Sequence, residues 1–435
     1  MIGQNPAWLN DKGIVNEVRF CQEFVEKMPL ICVKGKFYGL DGQISDDTIS
    51  RDISIKLTEF VTSNISRKVK NLLEALKLHC HSAPPEVNPY QIHLLNGIIN
   101  IDGQFSPEKQ FCVNRLQVTF DPALTDLPKP ERFLQFINEL LYPEDIPTFQ
   151  EYLGYCLIPS TKGQAMMFLI GNGEEGKSRI GNVMSAIWGS SMLEGKFQRI
   201  ETDRFFRYNL VDKLVMVDDD MQLNALSSTG YIKSLVTAEI PIDIEAKGKQ
   251  SEQARVYTRI LGLGNGSPKA LYDKSEGFAR RLLILSVKPK PPDRVNDPYL
   301  ADKLICEKDE IFRWLLDGLQ RLVMNRFRFT VSERTKKNVS DAVSDSCNII
   351  DFLQDDQIVV LGSDQQSSST ELYAAYCFWC HRNGMTEMKR DSFISWLKTN
   401  ESRFNIKYTF NVPNKDGGHV RGFRGIRTKY VSYVE

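Results

Sequence analysis

The sequence predicts an α/β protein built on a mostly parallel sheet, and three stretches carry that prediction. Residues 165–170 form a short apolar run of strand type that breaks into Gly171-Asn172-Gly173-Glu174-Glu175-Gly176-Lys177-Ser178. After it, Ile180, Val183, Met184 and Ile187 recur at helical spacing. A second apolar run, 213–217, leads into Asp218, Asp219 and Asp220, and a third, 257–263, leads to Asn265. Apolar, β-rich runs of this kind are those of strands buried on both faces of an α/β sheet.

Composition limits the alternatives. The chain has 435 residues, 42% of them hydrophobic, which is enough for two or three domains with proper cores. Its formal charge is zero, so no global basic field points to nucleic acid, and any such binding has to come from local patches. No run of about 18 apolar residues occurs and residues 1–13 lack the signal-peptide pattern, so a cytoplasmic protein without membrane contact is expected. The nine cysteines read as free core thiols. Cys377 and Cys380, with His381 beside them, have ligand spacing but no second pair, and no zinc site is expected.

Taken in order, residues 1–130 form a mostly helical region. Helices are predicted at 18–28, 49–61 and 69–80, a hairpin at 32–43, and a small β element at 92–105 that turns at Asn96-Gly97 and Asp102-Gly103. From Pro130 two helices, 131–141 and 146–159, lead into a domain over 131–292 with strands at 165–170, 213–217, 257–263 and 282–287. Pro289, Pro291 and Pro292 close it. A helical connector follows over 293–345, with a helix at 302–324 and one long helix or two over 333–353. In the last domain, 346–435, residues 365–370 read as a polar linker or helix lead-in, followed by helices 371–382 and 389–398 and strands 404–410 and 420–427. Two helices and a two-stranded wing are the makeup of a winged-helix module. Its end is basic, seven Lys/Arg against three Asp/Glu between 401 and 435. Arg421, Arg424 and Arg427, with Phe423, make a hairpin suited to tracking a DNA backbone; a scaffold or protein-contact domain is the alternative.

The chemistry concentrates in 131–292. Strand, glycine-rich loop and helix N-terminus is the setting in which backbone N–H groups hold phosphate oxygens. Lys177 can reach the β- and γ-phosphates of ATP, and Ser178 can offer its hydroxyl to Mg2+. The aspartates after the second strand would lie beyond its C-terminal edge, where such sheets bind ligands, one holding the metal's water shell and its neighbour positioning an attacking water. Three adjacent carboxylates repel unless a cation is present. Asn265 can hydrogen-bond the γ-phosphate or that water, and reads equally as half of an Asn-Gly turn. Arg280 and Arg281 are either a solvated edge or a pair acting in trans on a neighbour's nucleotide. Residues 241–260 alternate about Lys247-Gly248-Lys249, a hairpin with lysines at its tip.

Taken together, GNGEEGKS (171–178), DKLVMVDDD (212–220), TAEIPIDIEAKGKQ (237–250), LGLGNGSP (261–268) and GFARRLLIL (277–285) resemble the superfamily 3 helicases. The likeness is to the helicase part of the phage and plasmid primase-helicase family related to the poxvirus D5 protein. Residues 94–103 and 118–141 resemble that family's region ahead of the helicase. The resemblance implies a P-loop ATPase of AAA+ type using ATP and Mg2+, working as a homo-hexameric ring on single-stranded and forked DNA. On this sequence it implies Gly171, Asn172, Gly173, Glu174, Glu175, Gly176, Lys177 and Ser178 as the nucleotide loop, and Ser178 and Asp219 as metal ligands. It further implies Asp219 and Asp220 as the acidic pair, Asn265 as the polar sensor, Arg281 with Arg280 as the trans-acting arginines, and Lys247 and Lys249 facing DNA. About 90 residues precede the matched part, too few for the family's primase domain, so priming would come from a separate primase or initiator. The expected function is an ATP-dependent replicative DNA helicase of a phage or mobile genetic element. The alternative is an origin-binding initiator that uses ATP mainly for assembly.

Overall fold

The computed structural model describes residues 6–10, 12–123, 129–221, 229–238, 240–248, 250–266, 276–291, 296–345, 348–383, 385, 387–413 and 417–429. The chain divides into two compact units, Met1–Ser267 with Ser275–Val339, and Ser340–Glu435 with Pro268–Lys274. No helix among the described residues is long and apolar enough to cross a membrane.

The larger unit begins with helices Glu17–Lys27, Asp46–Thr58 and Ile65–His79. Side chains of Asn16 and Ser45 cap the first two by accepting the N–H groups of Arg19 and Thr48. Their apolar faces, Phe20, Phe24, Ile49, Ile53, Leu57 and Leu76, close over Cys32 and Phe37 of the hairpin Leu30–Val33/Lys36–Gly39.

The main core of this unit forms around one sheet. Its strands are β1 (Met166–Gly171), β2 (Met192–Glu194) and β3 (Val215–Met221), followed after a short hairpin, β4 (Ile242–Ile244) and β5 (Glu252–Ala254), by β6 (Arg259–Asn265) and β7 (Leu282–Ser286). Spatial order is β7-β1-β6-β3-β2, and every pairing is parallel. Residues of β1 are apolar and buried without alternation, as a sheet covered on both faces requires. Helix α1 (Ser178–Trp188) packs Ile180, Val183, Met184 and Ile187 into this core, joined by Phe133, Ile137 and Phe149 from the preceding helices and by Leu315 and Leu319. Ile92, Leu94 and Ile99 of the small sheet over 91–106 share the same core.

The second strand of the prediction is longer than its apolar run. β3 continues through Asp218–Asp220 to Met221; β6 pairs Gly262 with Asp218 and Gly264 with Met221, and the register shifts between these two pairs, where Asp219 and Asp220 make a bulge. The three carboxylates are therefore part of a strand rather than a loop beyond it.

The smaller unit runs helix Asn348–Gln354, strand β8 (Val359–Ser368), helices Ser369–Arg382, Arg390–Thr399 and Glu401–Phe404, then β9 (Lys407–Pro413) and β10 (His419–Thr428). The antiparallel order is β8-β10-β9. Phe352, Leu372, Tyr376, Phe393, Phe423 and Ile426 are among its core residues. Of residues 365–370, expected as a polar linker or helix lead-in, 365–368 belong to β8 and 369–370 open the following helix. The strand opens on the apolar Val359, Val360 and Leu361, but residues 362–368 are glycine and polar residues with no apolar signal, and β10 supplies the pairing of 366–368. Ser368 ends it and caps the next helix in a reciprocal box with Glu371. The helical stretch over 333–353 is two helices, Glu333–Asp345 and Asn348–Gln354.

In the larger unit, helices Ile146–Tyr155 and Lys308–Met324 cross at glycines. A Cβ on Gly154 would lie 2.5 Å from the Leu315 carbonyl oxygen, and one on Gly318 would lie 2.6 Å from that of Gln150. Gly154→Ala and Gly318→Ala are each expected to cost about 1–3 kcal/mol by overpacking. Urea unfolding measures this, and wild-type stability in both variants would contradict so close a crossing.

Candidate functional site

The loop between β1 and α1 turns through three left-handed residues, Gly173 (φ 110°), Glu174 (φ 63°) and Gly176 (φ 102°). Two glycines adopt this at little cost, whereas Glu174 holds a backbone conformation that side chains disfavour. The result is convergence. The N–H groups of Asn172 and Gly173 both donate to Oε1 of Glu175, the second at 2.8 Å. Lys177 Nζ lies 2.6 Å from Oε2 of the same carboxylate, and both side chains are buried, at 7% and 3% exposure. Burial pushes the Glu175 carboxyl up, but the Lys177 ammonium and the loop amides outweigh it and hold the group below its usual range. Glu174 points outward to Lys290 at 3.3 Å, and Ser178 is exposed in the first turn of α1.

Register brings two further groups to this point. β6 runs beside β1 with Asn265 opposite Gly171, and the Gly266 N–H donates to the Gly171 carbonyl at 2.8 Å. On β3, Asp219 is exposed and turned toward α1, its Oδ1 3.8 Å from where a Cβ on Gly181 would sit. A cavity of about 620 Å³ results, with Lys177, Ser178, Asp219 and Asn265 on its wall, together with Glu174, Glu175 and Gly176. Its far side is formed by Asn296, Asp297, Pro298 and Leu300. The ammonium of Lys303, 2.7 Å from Asp297, holds that carboxyl below its usual range.

Strand alternation separates the aspartates. Asp218 is 1% exposed; its Oδ2 accepts the Phe197 N–H at 2.7 Å and its Oδ1 lies 3.3 Å from Lys196 Nζ. Asp220, expected beside Asp219 as a pair, is turned to the Asp218 side, with Lys196 3.8 Å from its carboxylate and 2.9 Å from its carbonyl. Successive residues of a strand face opposite sides, which turns the carboxylates of Asp219 and Asp220 apart.

The arginines lie elsewhere. Arg281 precedes β7, where its carbonyl accepts the Met166 N–H at 2.8 Å, at the opposite end of β1 from the loop. A five-residue strand, roughly 17 Å, separates it from this chain's own cavity. Its guanidinium donates to the Gly277 carbonyl and is largely buried, whereas Arg280 is exposed. Lys247 is exposed at the turn of the β4–β5 hairpin, and Lys249 lies outside the described residues. In the smaller unit Arg421, Arg424 and Arg427 are all exposed. Phe423 is buried at 0%, whereas Phe410 on the neighbouring strand is 62% exposed, with Arg421 5.5 Å over its ring.

Three contributors have little or no sequence signal. Lys196 and Phe197, which hold Asp218, belong to no motif. Glu175 is expected as one residue of the nucleotide loop, and nothing in the sequence marks it as the partner of Lys177. The turn pair Asn296–Asp297 before Pro298 is visible as punctuation, but falls in what the sequence reads as connector.

Residues 169–281 match the family described as a family of unknown function (DUF5906). No curated protein matches the chain. Among solved structures it is similar to the apo structure of the NrS-1 C-terminal region, at 11% identity and TM-score 0.50, over 94% of this chain and 99% of that one. A second apo structure of that region, in its A form, gives 12% identity and TM-score 0.48 over 93% and 97%. At 11% identity the likeness to the first of these is one of fold alone.

The different settings of the aspartates have a measurable consequence. Asp218→Ala strands the buried Phe197 N–H and is expected to cost about 1–3 kcal/mol. Asp219→Ala, at an exposed position, is expected to stay within about 0.5 kcal/mol of wild type. Chemical denaturation of the two variants reads the difference, and equal losses would contradict the alternation.

Proposed function

We propose that this chain is an ATP-dependent DNA helicase, working as a hexameric ring on single-stranded DNA in the replication of a phage or mobile genetic element. The observation that carries this reading is the convergence of Lys177, Ser178, Asp219 and Asn265 at the C-terminal edge of a parallel sheet, beside a loop whose amides hold an oxyanion. An oxyanion-holding loop with an adjacent hydroxyl and carboxylate fits a nucleotide and Mg2+.

In this reading the amides of 171–176 and Lys177 bind the phosphates, and Ser178 and Asp219 hold Mg2+, which would neutralise phosphate charge. Asn265 orients the γ-phosphate or the water that attacks it. Asp220 acts indirectly, sharing Lys196 with Asp218. Arg280 and Arg281 sit too far from their own chain's cavity to act there, so they serve a neighbour's nucleotide, the exposed Arg280 with less rearrangement. Lys247 and Lys249 grip phosphates in the ring channel.

The smaller unit is a winged-helix domain in this reading. Its order of helix, strand, two main helices and two strands supports that, and Arg421, Arg424 and Arg427 supply backbone contacts. The same unit supports the second reading, an origin-binding initiator, because it has its own core and exposes arginines beside Phe410. A separate primase or initiator completes the partners.

The test is ATP hydrolysis and forked-duplex unwinding side by side for wild type and Lys177→Ala, with single-stranded DNA titrated in. Hydrolysis is expected to rise with DNA, and to fall roughly a hundredfold or more in the variant, with unwinding lost. Hydrolysis indifferent to DNA, without strand displacement, would sink the helicase reading. Sequence-specific duplex binding without displacement would favour the initiator. Lys247→Ala is expected to lower the DNA-stimulated rate more than the DNA-free rate, and an equal fall in both would remove the hairpin from the DNA path.

A further inference from the structure

The donors of the phosphate loop are already engaged by an anion of the chain itself. Oε1 of Glu175 accepts from Asn172 N–H and Gly173 N–H, and Oε2 from Lys177 Nζ at 2.6 Å. The carboxylate reaches back across the loop, and at 3% exposure it is not a solvated surface group. Its partners are two backbone amides and an ammonium, the donor types that hold phosphate oxygens at such loops.

Space is as limited as donors. A Cβ on Gly171 would come 2.6 Å from Glu175 Oε1 and 2.7 Å from Lys177 Nζ, so the ion pair is packed directly against the first residue of the loop. A second anion on the same donors would have to sit within a few ångströms of the carboxylate, and two negative groups that close repel strongly. Hydrogen-bond geometry leads to the same exclusion, because the Asn172 and Gly173 N–H groups each point at one oxygen.

We propose that Glu175 is an internal competitor for the phosphate site: the phosphates of an incoming nucleotide bind only after its carboxylate leaves Asn172, Gly173 and Lys177. This rests on reading the loop as a nucleotide site. Glu175 thereby sets nucleotide affinity, and it keeps Lys177 paired and the loop amides satisfied between nucleotides. Affinity for any ligand that needs the displaced state is lowered by the fraction of time that state is open, so a carboxylate in place about 90–99% of the time weakens binding about 10- to 100-fold. Inorganic pyrophosphate, which offers the phosphate chemistry without base or sugar, is subject to the same competition.

The test compares wild type, Glu175→Gln, Glu175→Asp and Lys177→Ala in the full chain, titrated with ATP and with inorganic pyrophosphate by calorimetry. The amide of Glu175→Gln keeps the length but has no charge to hold Lys177. It is expected to bind both ligands about tenfold tighter or more, with KM for ATP falling further than kcat changes. Glu175→Asp, one methylene shorter, cannot reach all three donors and is expected to fall between. Thermal unfolding gives a readout that a purely structural role would not produce: without ligand the midpoint of Glu175→Gln falls, and pyrophosphate raises it by more than it raises the wild type's. ATP binding by wild type that is lost in Lys177→Ala, with unchanged or weaker affinity in both Glu175 variants, overturns the proposal and leaves the nucleotide reading standing. Failure of all four proteins to bind ATP or pyrophosphate overturns both.

Discussion

A turn that aims several backbone N–H groups and a lysine ammonium at one point needs an anion there. The loop after β1 is such a turn, and its left-handed residues exist to make it. Of these donors the Lys177 ammonium is buried, and a buried charge without a partner is costly. Everything around the site follows from supplying that anion and fixing the donors. Strand β1 is buried and rigid, α1 starts where the loop ends, and Glu175 folds inward to Lys177 while its neighbour Glu174 faces Lys290. Two adjacent glutamates in one motif thus do opposite things, because only one backbone position points its side chain at the donors.

The parallel ladder imposes the second layer of order. It aligns Asn265 with Gly171 and extends β3 through the aspartates, so residues far apart in sequence reach one sheet edge. Alternation then gives three chemically identical residues three settings: Asp218 buried on Phe197 and Lys196, Asp219 open to the cavity, Asp220 turned back toward Lys196. A crowd of like charges becomes tolerable because one is neutralised by hydrogen bonds and a lysine, and one faces solvent on the opposite side.

In the smaller unit two aromatics of neighbouring strands take different settings. Phe423 and Phe410 both lie on the terminal strands, yet one completes the core and the other stands in solvent beside Arg421. Tyr408 lies 5.4 Å from Phe410, with the Lys398 ammonium 3.6 Å over its ring. Lys398 and Arg421 thus each stand over an aromatic ring of β9, Tyr408 at the rim of the core and Phe410 in solvent.

Much of the architecture was legible in the sequence, because apolar periodicity and glycine punctuation are local signals. Strand, loop and helix at 165–188, the helices ahead of them, the β4–β5 hairpin and the last two strands all follow from residues within a few positions of one another. Lys177, Ser178, Asp219 and Asn265 were legible as residue types at strand and helix ends, and the fold brings them to one cavity. Tertiary structure decided what local signals cannot carry. Which aspartate faces the cavity depends on the register of β3 against β6. Strand β8 exists because β10 pairs with its polar backbone. The far wall at Asn296–Leu300, the Lys196 support and the inward fold of Glu175 each depend on a partner brought close by packing. The sequence by itself determined which segments make strands, helices and the glycine-rich turn between them, since each depends on neighbouring residues. Only the folded chain determined which side chains meet, since that depends on which face of each element the core leaves free.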